Sequence, residues 1–381
     1  MGHLSAEPIP LQRRFVPLVM LSKILLGLLA LLILVVLIAL LIGYWISAPR
    51  YTGPVSGHFN GKTFFTPGAK QPEGLAGVLK WQLNHEITEP WPAFHDDAPG
   101  AAPPARVDAN ATPPGDSASR SPIRVTYVNH STMLLQFDGL NVLTDPIYEN
   151  RVSPFSFIGP ARNCPPGIRF DDLPHIDLLL LSHNHWDHLE IGTVKKLAAR
   201  DKPRIICPLG VKAFLEQEGV GNVTEMDWQQ SVPINPTTTL HCVPAQHFSG
   251  RGMFDRNATL WAGYVIASKA VGNVYFAGDS GYGPHFKAIG AQFGPLRLAL
   301  IPIGAYKPNW FMAPVHIGPP DAVRVHQDVR SEQSVAIHFG TFPLADDGAS
   351  EPVTDMKKAL AAQQIDAARF RALKNGESVN F

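Results

Sequence analysis

Residues 176–188 read IDLLLLSHNHWDH, a short apolar run that ends in three histidines and an aspartate within six positions. A segment of that length with its leucines in unbroken succession suits a buried strand, and buried strands need cover on both faces. Several imidazoles and a carboxylate at the end of such a strand converge within one turn of chain. His183, His185 and His188 with Asp187 between them form a donor set that suits zinc, which takes nitrogen and carboxylate ligands together. His183 and His185 share one side of an extended chain, while Asp187 and His188 come where the chain turns into the next helix, whose N-terminus favours an anion.

The chain downstream of residue 123 repeats the pattern of short β-branched runs divided by turns. IRVTYV (123–128), TMLLQF (132–137), NVLTD (141–145), RIIC (204–207), TTLHCV (238–243), WAGYVIA (261–267), NVYFAGD (273–279), LALIPI (298–303) and SVAIHFG (334–340) read as strands. Helical spacing is predicted near 192–200, 210–218, 284–293, 320–329 and 354–362. Two sheets covered by outer helices accommodate both sets, an α/β class.

Upstream, Ile24–Ile46 carries no charge over 23 residues and as a helix spans roughly 34 Å, the thickness of a bilayer core. Tyr44 and Trp45 close it, and Arg13, Arg14 and Lys23 precede it, which predicts a cytoplasmic segment at 1–23, a transmembrane helix at 24–46 and a domain outside the cytoplasm, in a bacterial inner membrane. A cleaved signal peptide is the rival; the length of the run favours an anchor. Residues 47–95 read as a tether that packs on the main domain, 96–122 as a flexible Ala/Pro-rich insert, and 123–381 as the catalytic domain. Lysine plus arginine equals aspartate plus glutamate at 32 each, so global charge gives no reason to expect nucleic acid as a partner. Cys164, Cys207 and Cys242 are odd in number and widely spaced, as small buried hydrophobes rather than a disulfide or thiolate framework.

Three further donors fall where predicted strands end: His247 after TLHCVPAQ, Asp279 closing NVYFAG and His338 closing SVAI. Strand ends collect along one edge of a layered sheet, so residues distant in sequence can meet there. Seven donors exceed one tetrahedral zinc and suit two ions with a shared carboxylate and water between them, an arrangement that makes hydroxide at neutral pH.

HNHWDH, His247, the aspartate of FAGDSGYGP and the histidine of AIHFGTF resemble, in order and spacing, the metal motifs of the metallo-β-lactamase superfamily. NHSTMLLQFDGLNVLTDPIYENRVSPFSFIGPAR, PAQHFSGRGMFDRNATLWAGYVI and IPIGAYKPNWFMAPVHIGPPDAV are similar to the N-acylphosphatidylethanolamine-hydrolysing phospholipases D and their bacterial relatives. The likeness runs from about 123 to 348 and implies a four-layer αβ/βα sandwich. It further implies one zinc on His183, His185 and His247, a second on Asp187, His188 and His338, and Asp279 bridging them. Asp145 of LTDP matches an acid behind the metal site, although an aspartate that starts a turn before proline fits equally. His316 matches a histidine near the reaction centre, for substrate contact or proton delivery; a core or surface histidine is its rival.

Lys307 and Asn309 stand where relatives usually carry Glu and Arg, Trp186 replaces a tyrosine, and Phe248 replaces a tryptophan. None of these is a ligand, so hydrolysis stays intact while the headgroup is open. The stretch Trp310-Phe311-Met312 reads as plain core or as part of a lipid groove. The expectation is a dizinc phospholipase D whose partner is a phospholipid, with Asp187, Asp279 and His316 at the chemistry and a homodimer as one form of the chain. A dizinc hydrolase of a lactone or soluble phosphodiester, and an inactive membrane scaffold, are the alternatives.

Overall fold

The computed structural model describes residues 18–70, 73–87, 89–95, 100–107 and 120–381. Arg13 and Arg14, on which the predicted orientation leans, lie outside them, as do 96–99 and 108–119 of the Ala/Pro-rich segment. The chain divides into two compact units, 1–46 and 47–381. Within the first, helix α1 (Leu18–Trp45) begins six residues before the charge-free run, and its stretch Met20–Trp45 is long and apolar enough to cross a membrane.

In the second unit, α2 (Leu75–Leu83) precedes two seven-stranded mixed sheets. The first sheet holds β1 (Arg124–Asn129), β2 (Thr132–Phe137), β3 (Leu140–Thr144), β4 (Leu178–Leu180), β5 (Arg204–Pro208) and β6 (Val223–Met226) in that order. The second runs, from one edge, through β7 (Ser231–Asn235), β8 (Thr238–Val243), β9 (Gly263–Ser268), β10 (Gly272–Phe276), β11 (Leu296–Pro302), β12 (Ser331–Ile337) and β13 (Phe370–Arg371). The last strand, β14 (Ser378–Asn380), returns to pair antiparallel with β1. Strands β3 to β6 and β10 to β13 are parallel, with helical crossovers α3 (Ile191–Arg200), α4 (Val211–Gln217), α5 (His285–Phe293) and α7 (Pro319–Asp328); α6 (Asn309–Met312) and α8 (Glu351–Ala362) complete the helices.

Side-chain parity explains the layering. Leu178 and Leu180 point between the sheets with Leu298, Leu300, Val335 and Ile337, whereas Leu179 and Leu181 pack under α3 and α4 with Val194 and Leu215. On the second sheet Ala299 and Ile301 face α5, α7 and α8 through Phe286, Val323 and Leu360. Every leucine of the IDLLLL run is thus buried, three of them without any exposed surface. A one-residue slip of β4 would exchange its two leucine sets between layers. The predicted four-layer αβ/βα sandwich is what forms, and Cys164, Cys207 and Cys242 are free and buried in it.

Within this unit the described residues of 47–95 pack on the sandwich: Phe59 and Phe64 are buried against Leu260 and Trp261, and Asp346 accepts from Trp81 Nε1 at 3.0 Å and His85 Nδ1 at 2.6 Å. The described part of the Ala/Pro-rich segment is also docked, since Gln136 and Asn141 side-chain amides donate to the Pro104 and Ala105 carbonyls and Arg106 pairs with Asp177 at 2.9 Å. Backbone hydrogen bonds answered by buried side chains tie down a stretch whose composition alone predicts looseness. The strands β6, β7, β13 and β14 and the short α2 and α6 were outside the sequence expectation.

Candidate metal centre

The parallel strands β3 and β4 end at the same edge, and the turn between β1 and β2 lies there too because those strands run antiparallel to their neighbours. HNHWDH leaves β4 at this edge, and the segments after β8, β10 and β12 bring His247, Asp279 and His338 to it from the second sheet. All seven predicted donors meet. Asp279 Oδ2 lies 3.1 Å from His188 Nε2 and from His338 Nε2, and 4.0, 3.7 and 3.8 Å from His183 Nε2, His247 Nε2 and His316 Nδ1. Asp187 Oδ2 is 3.4 Å from both His188 Nε2 and His338 Nε2.

Outer hydrogen bonds decide which nitrogen each ring turns inward. His188 Nδ1 donates to Asp145 Oδ2 at 2.6 Å. Ser182 Oγ donates to the same oxygen at 2.6 Å and therefore accepts from His183 Nδ1 at 2.9 Å. His247 Nδ1 donates to the Val315 carbonyl at 2.8 Å. Each bond leaves Nε2 as a lone pair directed into the site. His183 Nε2 and His247 Nε2 both face His185 Nδ1, at 2.8 and 3.2 Å, and one N–H cannot satisfy two acceptors facing it. His188 Nε2, His338 Nε2 and Asp279 Oδ1 are buried without a hydrogen-bond partner. Imidazole nitrogens and carboxylate oxygens converging on one buried point are what a bound cation resolves, so the residues fit metal ions. The groups fall into His183/His185/His247 and His130/Asp187/His188/His338, with Asp279 reaching members of both.

The electrostatics divide along the same line. Burial pushes the Asp187 and Asp279 carboxyls up, but the facing imidazoles outweigh it and hold both well below the usual carboxylate range. Burial lowers His188 and His338, yet the carboxylates raise His188 well above its ordinary value and His338 to about 9. His183 and His247 are held well below theirs and His185 at about 3, chiefly by burial, so this half presents neutral donors.

The backbone is arranged for these contacts. His130, Asp145 and His338 all have positive φ, at 46°, 31° and 59°, a region that non-glycine residues occupy at a cost and that clusters at functional sites. Gly278, with φ 60°, lets the chain before Asp279 approach β4; a Cβ there would lie 2.8 Å from Ser182 Cβ. The α3 N-cap is Glu190, which accepts from Gly192 and Thr193 N–H groups. Asp187 is therefore not the helix-terminal anion that the sequence suggests, and its Oδ2 faces imidazoles instead.

Asp145 is fully buried behind His188, the arrangement of a supporting carboxylate rather than a turn-starter alone. Trp186 donates Nε1 to the Arg251 carbonyl, and the Arg251 guanidinium stacks 3.7 Å from its ring while donating to the Asn184 and Leu189 carbonyls. His316 borders the site with its Nδ1 unpartnered, and burial holds it at about 4. In the Trp310-Phe311-Met312 stretch only Met312 is buried, and Phe311 stacks on Trp81 with ring centroids 5.1 Å apart.

His130 joins the site without a sequence motif of its own. Its Nε2 lies 3.2 Å from Asp187 Oδ2 and its ring 4.1 Å from that of His338. The signal was a histidine in the two-residue turn NHST between paired strands at the ligand-bearing sheet edge.

Residues 140–339 match the family described as the beta-lactamase superfamily domain. The chain is 36% identical over 322 residues to the N-acyl-phosphatidylethanolamine-hydrolyzing phospholipase D 1 of Caenorhabditis elegans, covering 80% of this chain and 88% of that protein. It is 40% identical over 273 residues to an uncharacterized protein of Mycobacterium tuberculosis, covering 70% and 72%. Among solved structures, a metallo hydrolase from Ignicoccus hospitalis superposes with a TM-score of 0.54 at 22% identity, over 68% of this chain and 99% of that one. The chain belongs to the metallo-β-lactamase superfamily and is a metal-dependent hydrolase of that family.

Proposed function

We propose that the protein is a membrane-anchored phospholipase D that hydrolyses N-acylphosphatidylethanolamine, or a related glycerophospholipid, to phosphatidic acid and N-acylethanolamine. The observation that carries the hydrolytic half is the position of Asp279 Oδ2 between two imidazole groups. The lipid half is supported by the relative's activity, as its name gives it, and by the apolar helix α1. In this reading α1 stays in a bacterial inner membrane with its N-terminus cytoplasmic and the 47–381 unit outside.

His183, His185 and His247 would hold one zinc, Asp187, His188 and His338 the other, and Asp279 would reach both. Two such ions supply Lewis acidity for activating water and for neutralising phosphoryl charge. The chain's own groups orient the reaction. Asp145 and Ser182 keep His188 and His183 turned inward, and Asp279 separates the two halves. Water gives its oxygen to phosphorus and releases a proton, the bond from phosphorus to the ethanolamine oxygen breaks, and that oxygen takes up a proton, through solvent or relayed by neutral His316. His316 Nδ1 lies 3.8 Å from Asp279 Oδ2, a position that suits contact with the phosphoryl or acyl part of a substrate.

Purified full-length protein with its metals counted, presented with a phospholipid panel in mixed micelles, tests this. Phosphatidic acid and N-acylethanolamine in the mass spectrum are the expected products. Hydrolysis of soluble esters or phosphodiesters with no lipid turnover would overturn the phospholipase reading.

A further inference from the structure

Two large apolar side chains, Met253 and Phe254, stand in water at the tip of the loop 250–256, 61% and 42% exposed. Slack backbone does not account for their exposure. The fully buried carboxylate of Asp255 closes the loop beneath them, accepting from the Arg251 N–H at 2.9 Å and the Gly252 N–H at 2.8 Å. Arg251, buried under the tip, is fixed in turn by the Asn184 and Leu189 carbonyls. A loop braced on both sides holds its apolar tip outward at a free-energy cost, which a partner surface would offset.

The same carboxylate also accepts from the backbone N–H of Ala48 at 2.8 Å, and the Phe254 N–H donates to Ser47 Oγ at 3.1 Å. Arg50 donates to the Phe254 carbonyl. Ser47 is the first residue after the apolar stretch that ends at Ile46, and one residue of chain spans only about 3.8 Å. The tip of this loop is thus tied to the first residues of the 47–381 unit, which follow the apolar stretch directly in the chain. Exposed Arg50, Lys62 and Arg256 flank it, and their charges suit an anionic headgroup layer above an apolar one.

We infer that Met253 and Phe254 insert into the membrane surface, so that the loop is a second, shallow lipid contact next to the anchor. This rests on the proposal that α1 stays in the membrane. The loop also leads straight to the metal centre: Gly250 N–H donates to Asn184 Oδ1 at 2.8 Å, and the Phe248 ring lies 4.4 Å from that of His185. Seating the tip would therefore bring the segment that borders the centre to the lipid surface.

A Met253→Cys variant of the full chain carries an environment-sensitive fluorophore selectively, because the three native cysteines are buried. In vesicles of phosphatidylethanolamine and phosphatidylglycerol its emission is expected to shift to the blue and to be quenched by lipids with a shallow nitroxide. The comparison site is Lys269→Cys, exposed in the turn between β9 and β10 at the opposite edge of the second sheet. Equal emission and equal quenching at the two sites would overturn the inference. This readout needs no turnover, so failure of the phospholipase reading leaves it standing. The double variant M253S/F254S adds a second measurement: a loss of about tenfold on vesicle substrate with a short-chain monomeric substrate changed less than about twofold. Equal loss on both substrates, or none on either, would count against the insertion.

Discussion

Asp145 Oδ2 accepts from His188 Nδ1 at 2.6 Å, both groups being fully buried, and this bond decides that Nε2 of His188 faces Asp279. Asp145→Asn keeps the shape but replaces a charged acceptor with an amide that can present its donor side. Metal affinity is expected to fall about 10- to 100-fold, read by competition with a chelating indicator, while the folded far-UV spectrum is unchanged.

Asp279 Oδ2 lies within 4.0 Å of imidazoles from both groups. Asp279→Ala removes the negative charge from the middle of the site and is expected to abolish turnover and to lower the bound metal per chain, measured by elemental analysis. Wild-type activity in this variant would refute its bridging role.

His130 supports Asp187 from the turn between β1 and β2. His130→Gln is expected to weaken metal retention by roughly tenfold. The loss should concentrate in one of two binding steps, since His130 touches the Asp187 group and not His185 or His247. Isothermal titration of metal into stripped protein separates the steps.

His326, far from the centre on α7, is buried with Nδ1 2.8 Å from Ser334 Oγ, and burial, aided by Arg369, lowers its pKa to about 4. The folded state thus holds it neutral while the unfolded chain protonates near 6.5. Its contribution is present above about 6.5 and is lost as pH falls through about 4. The denaturation midpoint of His326→Gln should therefore depend less on pH across that window than that of the parent.

Stripping metal with a chelator should lower the thermal midpoint by several degrees, because a cation held by donors from both sheets would bind the folded chain and not the unfolded one. Scanning calorimetry before and after reloading measures the difference.

Much of this was legible before any coordinates. The donors in HNHWDH are consecutive, and His247, Asp279 and His338 announce themselves by closing apolar runs, so sheet-edge geometry predicts their meeting. What the sequence leaves unmarked is set by tertiary contact. β13 and β14 have only two and three residues and exist because a sheet edge is there to pair with. His130 has no local pattern beyond a turn, and its role depends on which strands are antiparallel. The docking of residues 100–107 depends on the side-chain amides of Gln136 and Asn141, which composition does not reveal.

The ligand positions run from His183 on one sheet to His338 on the other. No fragment translated before residue 338 contains every donor, and neither sheet alone can build the cage. A cation held by these donors would therefore be captured late in assembly and would clasp one sheet to the other. A nascent chain is thereby kept from hydrolytic turnover until its architecture is finished.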